Sequence, residues 1–195
     1  MSKSNLKIYI HHMPAIPYDP LGLKYDKAHE AHSFVVQFLN LLFTQLVYGG
    51  IATIDITGVS RAIYYSAYTL SGRANAGEVT RGIIVGTGST PPQPSDYKIQ
   101  TIIPHGNAAG QLAYSFWGES GPWIAPPNIY CAIHRTFTNN SGAPITVTEI
   151  TLYAQANIGS TPYYFCITRD ILAAPATIQA GQAYRFIITF CTPVG

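Results

Sequence analysis

A chain of 195 residues and 21.2 kDa is long enough for one full β-domain with an attached element and too short for two comfortable ones. Its eleven basic residues are scattered at a net charge of +2, so no basic stripe exists for nucleic acid to follow, and that class of partner is excluded. Only 10% of residues are charged, against roughly 25% in ordinary soluble domains; either neighbours in an assembly cover much of the surface, or Ser, Thr, Asn, Gln and Tyr dress it.

The alternation Leu6-Lys7-Ile8-Tyr9-Ile10 reads as a short strand. Pro14, Pro17 and Pro20 follow, and because proline lacks the N–H that a helix or ladder needs, residues 1–25 are expected to form an extended Pro-rich arm. Such an arm lies on a neighbouring subunit or on its own domain. Asp26 reads as the N-cap of one long apolar helix, assigned to residues 26–50 and stopped by Gly49-Gly50. Its apolar sector is wide, while Ser33, Gln37, Asn40 and Thr44 make one narrow polar stripe. That pattern predicts burial against the sheet and against a second surface. Phe34, Val35, Phe38, Leu39, Leu42 and Leu46 are therefore the candidate assembly interface, and charge at Phe38 or Leu42 is expected to abolish assembly. A membrane span is disfavoured, because Gln, Asn and Thr interrupt the run short of the ~20 mainly apolar residues a bilayer demands.

From residue 51 the period changes to two, and residues 51–195 are read as one β-domain. Strands are predicted over 51–57, 62–70, 82–86, 97–103, 112–117, 129–137, 145–154, 163–169 and 184–191. About nine strands suit an antiparallel β-sandwich of jelly-roll-like form. Asn139-Asn140-Ser141-Gly142 tolerates positive φ and reads as the turn of a β-hairpin. Ile129, Cys131, Ile133, Arg135 and Phe137 share a face of one strand, and Tyr184, Phe186, Ile188 and Phe190 a face of another. Apolar parity shifts at Glu149, which indicates a β-bulge. Arg135, Glu149, Arg169, Asp170 and Arg185 are embedded in an otherwise neutral region, and some of them are expected to pair.

Little in the chain points to catalysis. His29 and His32 lie three apart, whereas the metalloprotease pattern needs histidines four apart, and no third ligand is evident. Gly86-Thr-Gly-Ser-Thr90 resembles a phosphate loop, but the prolines that follow forbid the helix such a loop requires, so it reads as a turn. The nine carboxylates are scattered, and no cofactor or acid/base pair can be nominated. Cys131, Cys166 and Cys191 fall in predicted strands and read as buried thiols, with a bridge from Cys131 to one of the others as the alternative. Asn139-Asn140-Ser141 matches the glycosylation pattern, but no cleavable leader is apparent at the start of the chain, so the turn reading is preferred. Trp117 and Trp123 are a possible aromatic binding patch for a sugar, or a subunit contact.

The order of motifs from Gly82-Ile-Ile-Val-Gly-Thr-Gly-Ser-Thr-Pro-Pro-Gln-Pro through Gly110-Gln-Leu-Ala-Tyr, Arg135-Thr-Phe-Thr-Asn-Asn-Ser-Gly, Glu149-Ile-Thr-Leu-Tyr, Arg169-Asp-Ile-Leu and Ile178-Gln-Ala-Gly-Gln resembles a family of mostly uncharacterised proteins of tailed bacteriophages and related viruses. The resemblance spans residues 82–190. It implies a non-enzymatic virion structural β-protein, assembled in the host cytoplasm and carried in the particle, whose partners are copies of itself and other virion proteins. It brings no known site residue with it. The competing expectations are a cellular filament subunit assembled by strand addition and a carbohydrate-binding module.

Overall fold

The computed structural model describes residues 7–14, 29–31, 34–47 and 50–193. Its elements are β1 (Lys7–Pro14), β2 (His29–Ala31), α1 (Val36–Val47), β3 (Ile51–Ile54), β4 (Ser60–Ile63), β5 (Gly82–Gly86), β6 (Ala113–Ala125), β7 (Asn128–Thr138), β8 (Ile145–Ile158), β9 (Thr161–Ile178) and β10 (Ala183–Pro193). The fold is mainly β, with antiparallel sheets. A five-stranded sheet has the order β2-β1-β10-β7-β6, a three-stranded sheet the order β5-β8-β9, and β3 and β4 form a separate hairpin.

The two faces predicted for the final strands meet on one sheet. Phe137 lies opposite Tyr184, Arg135 opposite Phe186, Ile133 opposite Ile188 and Cys131 opposite Phe190. Paired residues point to the same side, so this face joins Ile8 and Ile10 of β1 in a hydrophobic core that also takes Ile83, Val85, Ile150, Leu152, Phe165 and Ile167 from the other sheet. Every residue of β5 is buried, as is the run from Glu149 to Ala156 in β8. A run buried on consecutive positions needs cover on both faces, and here α1 packs against β9 and β4 against β8.

Several expectations change. The long apolar helix is absent: α1 has 12 residues. His29–Ala31, read as its first turn, instead pairs with β1, and Phe34 bridges to Thr168 while the Val35 N–H donates to the Ile167 carbonyl at 3.2 Å. These partners hold residues 29–31 and the pair Phe34 and Val35 out of the helix, overriding helix propensity. Asp26, the expected N-cap, lies outside the described residues. Of the expected arm, residues 7–14 are an interior strand paired with β10 from Lys7 to Pro14, and residues 15–25 are outside the described set.

The turn at Asn139–Gly142 does not make a hairpin. β7 pairs with β6 and β10, β8 with β5 and β9, so the chain crosses there from one sheet to the other. Asn139 is fully buried; its Nδ2 donates to the carbonyls of Ala143 and Ile178, each at 2.7 Å, and its Oδ1 accepts from Ser141. An amide so engaged is a corner fastener and offers no glycosylation site. The expected bulge is present: the β8–β9 register shifts between Val147 and Glu149. Residues 97–103 form no strand, only an isolated bridge from Ile102 to Gly86, and the strand expected to reach residue 70 stops at Ile63.

Candidate functional site

In α1, the residues turned into the body are Gln37, Leu41 and Thr44, at helical spacing on one face. Two members of the expected polar stripe therefore face inward. Val36, Leu39, Phe43, Leu46 and Val47 stand outward and exposed, Leu46 at 75%. Beside them run Ile54 and Val59 of the β3–β4 hairpin and Tyr64, Tyr65 and Tyr68 after it. The helix is tied to this segment by Asn40 Nδ2 donating to Ala52 O at 3.4 Å and Gln45 Nε2 to Ser66 O at 2.9 Å. Of the thirteen exposed large hydrophobic side chains among the described residues, ten lie between Val36 and Tyr68. They come from one stretch of chain whose helix and hairpin are tied together, and a concentration of exposed apolar side chains of that kind is a candidate interaction surface.

Charge is nearly excluded from this face. Asp55 and Arg61 are the only charged residues between Val36 and Tyr68. Asp55 closes the hairpin turn: its carboxylate accepts from the N–H groups of Thr57 and Val59, from the Thr57 hydroxyl and from Arg61 Nε at 2.8 Å. Burial alone would raise its pKa, but these donors together outweigh burial and hold it below the usual carboxylate value. Arg61 also stacks on the Tyr163 ring at 4.4 Å.

The six residues expected at the interface divide. Val35 is in the core; Phe34 and Phe38 stack on each other at 4.3 Å, and Phe34 approaches Phe190; Leu42 is half-buried. Only Leu39 and Leu46 are exposed. Charge at Phe38 or Leu42 would thus strike the body's own packing as well as any partner. Phe43 and Leu46 are the cleaner positions. Sequence reasoning missed Phe43 and the Tyr64–Tyr68 group because amphipathic pattern alone does not say which sector turns inward.

The embedded charges form two interior networks. Arg169 donates through Nε to Glu149 Oε1 at 2.6 Å, through Nη1 to Asp96 Oδ2 at 2.7 Å and through Nη2 to Thr90 O at 3.0 Å. Burial acts to lower the Arg169 pKa, and the two carboxylates overcome it and raise it. Glu149 also accepts from the N–H groups of Gly88, Gln100 and Thr101. The segment resembling a phosphate loop does meet an anion, through the Gly88 N–H alone, and the anion is the chain's own carboxylate. A Cβ at Gly88 would collide with that carboxylate, so glycine there permits the approach. Arg135, fully buried, has no carboxylate partner among the described residues and instead donates to the carbonyls of Ser115, Ile83, Arg81 and Asn75, with its guanidinium 4.9 Å from the centre of the Tyr114 ring. Burial lowers its pKa to about 10, which leaves it charged at neutral pH.

Trp117 and Trp123 do not form one platform. Trp117 lies opposite Arg135 and Trp123 opposite Tyr130, with a register shift between Ser120 and Trp123. Since Arg135 and Tyr130 point to opposite sides of β7, so do the two tryptophans. Trp123 stacks on Tyr130 at 5.4 Å, and Trp117 lies under Arg73 at 5.0 Å. The three cysteines are free, Cys166 and Cys191 buried and Cys131 partly so; burial pushes the Cys166 thiol up to about 12. Among the described residues no group of three or more His, Cys, Asp or Glu could hold a metal ion, and no helix is long and apolar enough to cross a membrane.

No protein-family model, curated protein or solved structure matches this chain.

Proposed function

We propose that this protein is a virion structural subunit, a jelly-roll-like β-sandwich that associates with copies of itself through the outer face of α1 and the β3–β4 hairpin. The observation that carries the proposal is the concentration of exposed apolar side chains there with no free charge among them. Ten side chains about half exposed present on the order of 1,000 Å² of surface, against about 800 Å² given by each partner in a standard-sized interface. Each large apolar side chain fully buried contributes about 1.5–3 kcal/mol before the costs of association are subtracted. The chemistry of the face selects an apolar, uncharged counterpart, which a second copy supplies. The resemblance of residues 82–190 to phage structural proteins supports the virion setting. β1 is already paired with β10 in its own chain, so assembly through α1 needs no donated strand.

The test is analytical ultracentrifugation of the wild type and of the double variant Phe43→Glu/Leu46→Glu, followed by imaging of any large species. The wild type is expected to sediment as a closed oligomer and the variant as a monomer. A monomeric wild type, or a variant that assembles equally well, would sink the proposal.

A further inference from the structure

The segment between β4 and β5 folds over β6, its Ala74 carbonyl accepting from the Trp117 N–H at 3.1 Å. Between segment and strand lies a cleft of about 440 Å³ lined by Tyr68, Ser71, Arg73, Asn75, Arg81 and Trp117, a volume within the ~300–1,000 Å³ usual for small-ligand sites. Its charge is unbalanced. Arg81 is held by Glu78, with Nε 3.2 Å from Oε1 and Nη2 donating to Oε2 at 3.2 Å, and by Gln155. Arg135 lies beneath, its Nη2 donating to the Asn75 carbonyl at 2.7 Å. Arg73 donates to no acceptor and pairs with no carboxylate among the described residues; its one contact is the Trp117 ring. Three guanidinium groups thus meet one carboxylate, Glu78.

A guanidinium held over an indole at 5.0 Å is positioned without spending its donors, which remain as a planar fork matched to a carboxylate. Next to it, the Tyr68 hydroxyl, Ser71 hydroxyl and Asn75 side-chain amide have no partner among the described residues; they are the donors and acceptors that sugar hydroxyls take up. We propose that this cleft binds a carboxylate-bearing saccharide, with Arg73 holding the carboxylate and Tyr68, Ser71 and Asn75 the hydroxyls. The site shares Tyr68 with the proposed assembly face, whereas Ser71, Arg73, Asn75 and Trp117 lie outside that face.

Trp117 is one of two tryptophans, so a Trp123→Phe background reports the cleft alone by fluorescence. The probes are oligosaccharides ending in glucuronate or sialate, their neutral counterparts, and inorganic phosphate. Saturable quenching by an acidic saccharide, none by the neutral ones, and at least ten-fold weaker binding in Arg73→Gln are expected, with Arg73→Lys intermediate because an ammonium keeps charge but loses the fork. Arg73 is exposed, so its loss leaves the fold intact, which circular dichroism checks. Binding should persist in Phe43→Glu/Leu46→Glu. Absence of saturable binding, equal binding of neutral sugars, tighter binding of phosphate than of any saccharide, unchanged affinity in Arg73→Gln or loss of binding in the dispersed double variant would each overturn the proposal.

Discussion

The loop side of the three-stranded sheet around Glu149 and the outer face of α1 both reverse the usual placement of polar and apolar groups, in opposite senses. Around Glu149, charge is buried: Glu149 and Arg169 are nearly inaccessible, yet the carboxylate has Arg169 and three backbone N–H groups, and Arg169 has Asp96 and Thr90 besides. On α1, leucine and phenylalanine face out while Gln37 and Thr44 face in, and Gln37 Oε1 and the nearby strand's Thr53 Oγ1 have no hydrogen-bond partner among the described residues. The first reversal is completed within the chain. The second is not, and the difference separates a feature that stabilises the fold from the one on which the proposed self-association rests.

Breaking the completed reversal should have the largest effect. Glu149→Ala leaves Arg169 buried with only Asp96 as counter-ion and strips three N–H groups of their acceptor. Removing one member of a buried pair costs about 3–5 kcal/mol, readable as a lower urea midpoint at unchanged slope. A change under about 1 kcal/mol would show that water replaces the carboxylate, and that this end of the sheet is wetter than its burial implies. Arg135→Lys should come next, at about 2–4 kcal/mol, because an ammonium's three donors cannot span carbonyls arranged around a guanidinium and at least one buried acceptor is left bare. Equal stability of the lysine variant would mean that the charge, and not the fork, is what the site uses.

The α1 face should respond the other way. Phe43→Glu and Leu46→Glu remove exposed apolar groups, so the stability of the dispersed chain should stay within about 0.5 kcal/mol of wild type, while the oligomer is lost. A large drop in the stability of the dispersed chain would show that the helix is packed on its own body through these side chains, and the contrast between the two regions would collapse.

How far the sequence announced this contrast depends on whether the deciding interaction was local. Alternation in residues 129–137 and 184–191 was enough to find the residues that share a face of each strand, though not that the two strands pair, and the parity slip at Glu149 located the register shift. Charges standing alone in a neutral stretch pointed to some pairing among them, and Glu149 and Arg169 do pair. What could not be read was set by distant partners. His29–Ala31 is a strand because β1 lies beside it, α1 starts only at Val36 because Ile167 and Thr168 hold the preceding backbone, and residues 97–103 leave the ladder to enclose Glu149. Arg73 gave no signal at all, since its significance lies in the placement of Trp117, 44 positions away by number.

The smallest effect lies on the outer side of the five-stranded sheet, away from both reversals. His134 sits opposite Gly118 on β6 and Ile187 on β10, with Arg185 diagonal to it. Burial, reinforced by the Arg185 charge, holds its pKa below the ordinary value of 6.5. The unfolded chain therefore binds the proton more readily than the folded one. The resulting stability is fully present above about pH 6.5 and is lost as pH falls through the lower folded value. Asp55 acts with the same sign, but its folded pKa is below 3.8, so its contribution is lost only in stronger acid. Comparing urea midpoints at pH 7.5 and pH 5 separates the two: wild type should weaken over that interval, and His134→Asn should weaken less. If both weaken equally, the pH dependence belongs to other histidines, and the outer side of this sheet is better solvated around His134 than its contacts with Gly118 and Ile187 imply.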